Sequence, residues 1–233
     1  MSPTFQSLGL YIIFGVFLLI AGLIVWAVRA GKNKLAERKQ LFLEFGFQEV
    51  PERASELTER MTTLHHHWTQ RHSVEDPKRK SEWGYEMILF DLRDSSGDST
   101  HTDFDQALLL SPDLKLPRFT LFPKMQGTGF LAGMANKAMA WVAAKFAVQA
   151  AFPDFPEFDA KYIVWGDDEA ALRGYFSSSR LGRLAQTQEL QLEGNVNGLL
   201  FSRAAHKRTG RITAEKLRIL IEDGKNLFDI FKN

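Results

Sequence analysis

From Met1 to Val28 the chain carries no charged side chain, and from Leu8 to Val28 almost every position is apolar. As a helix that run of 21 residues spans roughly 31 Å, at about 1.5 Å per residue, which is the thickness of a hydrocarbon core. The polar residues Ser2, Thr4, Gln6 and Ser7 precede it, and Arg29, Lys32, Lys34, Arg38 and Lys39 follow it. A cleaved signal peptide has its basic residues ahead of a shorter apolar core, so the pattern predicts a retained transmembrane helix. Lys and Arg beside a span stay in the cytoplasm. The N-terminus is therefore expected outside and residues 30–233 inside. Tyr11 and Trp26 suit the two interfaces; Gly15 and Gly22 share a face that would permit close helix pairing, but glycine simply tolerated in an apolar helix is the better reading.

Beyond the apolar run, Lys34 to Phe45 reads as a juxtamembrane helix stopped by Gly46. Pro51 opens a second helix, about Glu52 to Arg71, with Leu57, Met61 and Leu64 at helical spacing. His72 to Ser81 is charged and holds Pro77, so it reads as a loop. Tyr85 to Asp94 is a strand, Ser95 to Asp98 has turn chemistry, and His101 to Leu110 returns with Phe104, Leu108 and Leu110 on one face. Pro117 and Pro123 bracket a short strand expected at a sheet edge.

Gly129 to Ala151 reads as a helix. Phe130, Met134, Trp141, Val148 and Phe152 form one large apolar stripe, with Gly133, Ala140, Ala144, Ala147 and Ala151 on a neighbouring side. Burying Asn136, Lys137, Lys145 and Gln149 in lipid is too costly for a second span. Either the stripe packs into a core, or the helix lies in the membrane surface while its lysines snorkel. Lys161 to Trp165 is a strand, and Asp167, Asp168 and Glu169 open a helix through about Phe176. Glu189 to Glu193 alternates, with one face wet and one buried. Gly194 to Gly198 turns the chain, and Leu199 to Arg203 returns it. Thr213 caps a closing helix with the stripe Leu217, Leu220, Ile221, Phe228 and Phe231. Helices and strands come in blocks with short hairpins. The fold class is therefore α+β: an N-terminal transmembrane helix, then a cytoplasmic domain with an antiparallel sheet and packed helices. The expected divisions are 1–30, a juxtamembrane helical region 31–81, and the domain 82–233.

A formal net charge of +1 supplies no global field for nucleic acid, and no such partner is expected. The absence of cysteine excludes disulfides and thiolate metal sites. His65, His66 and His67 diverge by about 100° per residue on a helix and cannot converge on one ion. They would need help from His72, His101 or His206, so a polar helix face is the better reading. Asp167, Asp168 and Glu169 suit a helix N-terminus, where carboxylates cap amides and complement the dipole. Ser177, Ser178 and Ser179 lack a nucleophile elbow, and Gly127-Thr128-Gly129 lacks the phosphate-loop lysine. No catalytic, metal or cofactor residue is assigned. Arg203, His206, Lys207, Arg208 and Arg211 form a basic loop. Together with Phe130, Met134, Trp141 and Val148, the residues Arg203, Lys207, Arg208 and Arg211 are the candidates for contact with lipid or a protein partner.

The stretches Leu116-Pro117-Arg118-Phe119-Thr120-Leu121-Phe122-Pro123 and Phe155 to Glu169, with its Tyr162-Ile163-Val164-Trp165-Gly166-Asp167-Asp168 centre, resemble a group of uncharacterised bacterial membrane-anchored proteins. The resemblance covers roughly residues 84–231. It implies a bacterial source and an inner-membrane location, and it brings no catalytic residue. The leading expectation is a membrane-tethered, non-enzymatic domain that binds the lipid bilayer, a protein partner or itself. The alternative is a metal-dependent hydrolase using His65 to His67 and Asp167 to Glu169.

Overall fold

A computed structural model of the protein describes residues 23, 26, 29, 36–64, 72–82, 84–94, 106–124, 148–187, 190–203 and 212–232. By its contacts the chain divides into Met1–Phe45 and Gly46–Asn233. In the first part, residues 36–44 form helix α1, and Leu23, Trp26 and Arg29 are also helical. Gln40 Nε2 donates to Glu44 Oε1 at 3.0 Å, one helical turn away. Gly46 has φ +80, a conformation that glycine adopts without steric cost, so it ends the helix as its position predicts.

The transmembrane helix expected over Leu8 to Val28 is a correction. Apart from Leu23 and Trp26 that run lies outside the described residues. Among the described residues no helix is long and apolar enough to cross a membrane. Length and apolarity do not coincide there: the 18-residue helix Ala214–Phe231 intersperses Glu215, Arg218, Glu222, Asp223 and Asp229 among its apolar positions. The fold is α+β with an antiparallel sheet and packed helices, and a membrane-spanning helix is no part of the described architecture. The orientation read from Arg29, Lys32, Lys34, Arg38 and Lys39 has no described span to orient.

The second part builds a nine-stranded sheet from β1 (Gln48–Glu49), β2 (His72–Glu82), β3 (Tyr85–Asp94), β4 (Gln106–Leu110), β5 (Leu116–Pro123), β6 (Val148–Ala150), β7 (Tyr162–Gly166), β8 (Leu190–Val196) and β9 (Gly198–Arg203). The helices are α2 (Ala54–Leu64), α3 (Pro156–Lys161), α4 (Glu169–Tyr175), α5 (Ser178–Gln186) and α6 (Ala214–Phe231). Strand order is β1-β2-β3-β4-β9-β8-β5-β7-β6, and every pairing is antiparallel. The early meander β1–β4 and the later trio β5, β7, β6 do not touch as strands. The β8–β9 hairpin sits between them and joins one to the other.

Each face of the sheet buries a different set. Period-two alternation puts Ile88, Phe90, Leu108, Leu110 and Leu200 on one face, where Leu57, Met61 and Leu64 of α2 close a buried cluster. The opposite face holds Met87, Leu109 and Phe201, and α6 lies on it. Gly224 lets the helix come close: a Cβ there would lie 3.4 Å from Leu109 and Phe201 side-chain atoms and 3.5 Å from Met87. Of the stripe expected on α6, Leu217, Leu220, Phe228 and Phe231 are buried and Ile221 is half-buried, while Leu227 and Ile230 are buried as well. Thr213 caps it by accepting from the Lys216 amide at 3.2 Å.

Several elements differ from their sequence reading. His72 to Ser81 is strand, not loop. Pro77 is tolerated because a bulge between Glu75 and Lys78 interrupts the ladder, Asp76 takes φ +48, and the Pro77 carbonyl accepts from the Val50 amide at 3.0 Å. β5 is interior, between β8 and β7, rather than at an edge. Its pairing with β7 begins at Phe119, and a register shift against β8 spans Leu116 to Phe119, so Pro117 owes no ladder donor. Val148 to Ala150 pairs with β7 as an edge strand where a helix to Ala151 was expected. There, sheet pairing outweighs the helical pattern. Phe130, Met134 and Trp141 lie outside the described residues. The helix after Pro51 is described over Ala54–Leu64, and the rest of its expected range, 65–71, lies outside the described residues. Glu193 is buried, so β8 is not wet on alternate positions.

Candidate functional site

The acidic triplet at the start of α4 is engaged locally. Asp168 is the N-cap, its Oδ1 accepting from the amides of Ala170 at 2.8 Å and Ala171 at 3.2 Å. Asp167 faces Arg118 at 3.4 Å, and Glu169 meets Arg173 at 2.8 Å. Ser177 caps α5. Arg203 donates twice to Asp223, from Nε at 2.6 Å and from Nη2 at 2.8 Å, and fastens β9 to α6. Val148 lies opposite Gly166 in the edge pairing. His65 to His67, His101, His206, Lys207, Arg208 and Arg211 lie outside the described residues. Among the described residues no group of three or more His, Asp or Glu side chains is placed to hold a metal ion.

A groove forms instead where α2 meets the β8–β9 turn. It has a volume of about 390 Å³ and is lined by Glu56, Glu59, Arg60, Leu64, Val196 and Asn197 among others. The helix is tied to the turn by Arg60 Nη1, which donates to Asn197 Oδ1 at 2.9 Å. The turn is held from the other side by Ser111, whose amide donates to the Asn197 carbonyl at 3.1 Å. Leu64 forms part of the floor. Gly198 lets Leu64 settle onto the turn, since a Cβ there would lie 2.7 Å from a Leu64 methyl and push that side chain aside.

Two features of the groove are chemically specific. Asn195 pairs with Gly198, so Val196 and Asn197 form a two-residue hairpin loop. Val196 has φ +53 at the position such turns give to Gly or Asn, and it is 65% exposed. Along the rim, Arg53 donates from Nε to Glu56 at 3.0 Å and from Nη1 to Glu86 at 2.8 Å. The hydrogen bond from Arg53 holds the Glu56 carboxyl below the usual carboxylate range, so it stays ionised at neutral pH. Thr63 turns its hydroxyl back to the Arg60 carbonyl at 2.8 Å. The groove offers an apolar tip, an apolar floor and a carboxylate rim, and the arrangement suits recognition.

The signal for this site in the sequence is slight. Gly194 to Gly198 is legible as a turn, yet nothing local puts a valine at its left-handed position, and Arg60 and Asn197 are 137 positions apart.

No family model and no curated protein matches the chain. Among solved structures, the chain is similar to the crystal structure of the mycobacterial trehalose monomycolate transport factor A, TtfA. The TM-score is 0.49 at 11% identity, covering 83% of this chain and 91% of that one. Likeness at that level assigns no residue and no activity.

Proposed function

We propose that Gly46–Asn233 is a non-catalytic binding module that receives a partner protein in the groove between α2 and the β8–β9 turn. The observation that carries this is Val196, a β-branched residue held in a left-handed conformation with its side chain in solvent. Such strain persists where the surroundings impose it, and it clusters at binding and switch sites. Here the strain presents an apolar tip above Leu64, beside the carboxylates of Glu56 and Glu59. Glu56 is held by Arg53 and Arg60 lies in the same lining, so Glu59 is the carboxylate offered to a partner's cation, beside an aliphatic side chain on Val196 and Leu64. The acidic residues of the alternative hydrolase reading, Asp167 to Glu169, already serve as cap and ion-pair partners.

The stretches that carry the family resemblance fit a structural role. Leu116 to Pro123 is β5, and Phe155 to Glu169 spans α3, β7 and the start of α4, with β5 and β7 paired. Gly166 at their junction leaves no room for a side chain, since a Cβ would lie 2.7 Å from the Arg118 carbonyl oxygen. We read these stretches as a packing unit.

The test is a photo-crosslinking residue placed at Val196 in the full chain in cells, with the same residue at exposed Glu222 of α6 as control. A discrete protein adduct at Val196, absent at Glu222 and weakened by Glu59→Lys, is the expected result. The same adducts at both positions would overturn the reading.

A further inference from the structure

The β8–β9 turn is clasped by the connection between β4 and β5, residues 111–115. On one side of the turn the Ser111 amide donates to the Asn197 carbonyl at 3.1 Å. On the other, Leu116 at the start of β5 lies opposite Val196 in the sheet register. The connection and its end thus engage the backbone at both residues of the hairpin loop. Arg60 holds only the Asn197 side chain, whose own torsions can absorb a change in the backbone. The 111–115 arch is therefore placed to impose a backbone angle on Val196.

One side chain gives the arch its shape. Ser111-Pro112-Asp113-Leu114 has serine first and proline second, the pattern of a tight turn, and the Leu114 amide donates to the Ser111 carbonyl at 3.2 Å. Ser111 Oγ accepts from the Asp113 amide at 3.2 Å and donates to the Gly84 carbonyl at 2.7 Å. The hydroxyl therefore closes its own turn and fastens it to the β2–β3 turn, where Gly84 has φ +87. Ser111 is 2% exposed and Leu114 1%, so the hydroxyl is shielded from water. Removing it deprives the Gly84 carbonyl and the Asp113 amide of their partner, and the amide that holds Asn197 loses its fixed position. Ser111 is not among the residues lining the α2 groove, and it reaches that groove through the turn.

Given the recognition role proposed for the α2 groove, on which this rests, we infer that Ser111 is the positioning residue of that groove. Its hydroxyl fixes the 111–115 arch, and the arch imposes the left-handed conformation that presents Val196. A β-branched residue stays in that region only where its surroundings over-determine it, and Ser111 is the buried group through which they do so.

The test uses the full chain, isotopically labelled at valine and read by NMR. A positive φ brings a residue's own amide hydrogen close to its Hα, so Val196 gives an intense intraresidue amide–Hα cross-peak, assigned by its absence from Val196→Asn. Ser111→Ala should reduce that peak to the level of Val164 in β7, while Ser111→Thr, which retains a hydroxyl, should keep it. Leu184→Ala, a cavity on α5, should lower the melting temperature and leave the peak intact, which general destabilisation would not. With a photo-crosslinking residue at Thr63, adducts in cells should fall in Ser111→Ala as far as in Val196→Asn. Should alanine unfold the domain, Ser111→Cys, close in volume but a weaker donor, reads the same loss. A natural chain without the intense peak, a peak undiminished in both Ser111→Ala and Ser111→Cys, or equal loss in Leu184→Ala would each overturn the role of Ser111. A lost peak with undiminished crosslinking from Thr63 would instead sink the groove reading and leave the hold of Ser111 on the turn standing.

Discussion

At Val196 the backbone holds a β-branched residue at φ +53, at a cost of about 1–3 kcal/mol. Asparagine tolerates that region far better. Val196→Asn is therefore expected to stabilise the domain by about 1 kcal/mol, read as a higher urea midpoint with an unchanged slope. The same change removes the apolar tip, so crosslinking from a neighbouring groove position such as Thr63 should fall. A stabilised variant with weakened partner contact is the signature of strain kept for recognition. An unchanged urea midpoint would show that the hairpin relaxes around valine and that no strain is stored. The groove carboxylate at Glu56 adds a second residue-level effect. Its pKa is lowered on folding, so its small contribution is present above the ordinary carboxylate pKa and is lost as pH falls through the lowered value.

At the scale of elements, α6 is the clearest case of pattern becoming structure. Phe228 is 3% exposed, and its ring centroid lies 4.6 Å from that of Tyr85 on β3. Phe228→Ala should cost about 3–5 kcal/mol, from lost transfer energy plus the cavity. Against a total of about 5–15 kcal/mol, that lowers the melting temperature visibly; unchanged melting would place the stripe elsewhere than in the core. Elements of this kind were legible because their signals are local: the spacing of Leu217, Leu220, Phe228 and Phe231, the cap at Asp168, the apolar run of β3. The misread ones depend on distant partners. β2 shows mostly charged residues because its ion pairs cross strands, as with Arg79 and Glu86 at 3.4 Å. α5 has few apolar residues beyond Leu181 and Leu184 and was not foreseen as a helix. Gly194 reads as a turn residue but lies inside β8, where the Phe119 ring fills the space a Cβ would take, at 2.2 Å. The candidate groove was half legible: α2 and a nearby turn could be read, and their meeting could not.

At the scale of the whole domain, burial of two tyrosines on the α6 side makes alkaline stability a global readout. Burial pushes the Tyr85 phenol up to about 12, with Glu82 and Asp229 adding to it. Burial likewise raises Tyr175 to about 12 against an opposing effect from Arg180. An unfolded tyrosine releases its proton near 10. Between about pH 10 and 12 the unfolded chain therefore binds fewer protons than the native one, and stability falls as pH rises. Below about pH 10 neither group contributes to the slope. Urea midpoints measured across that window should decline, and Tyr175→Phe should flatten the decline while losing the hydrogen bond to the Phe231 carbonyl at 3.0 Å. A decline as steep as that of the natural chain would exclude Tyr175 as a source.

The strand order has a consequence for how the protein is made. A ribosome delivers β1 to β7 before the hairpin that lies between β4 and β5 exists. Until residue 203 has left the exit tunnel, the nascent chain holds two unfinished sheets, each with an open row of backbone donors and acceptors facing a missing neighbour. Open edges of this sort recruit foreign strands, and late, long-range pairing prolongs the exposure. The domain is thus committed to completing itself after nearly all of it has been synthesised. A premature stop ahead of Leu190 is therefore expected to leave one chain carrying both unfinished sheets, each with an edge open to aggregation.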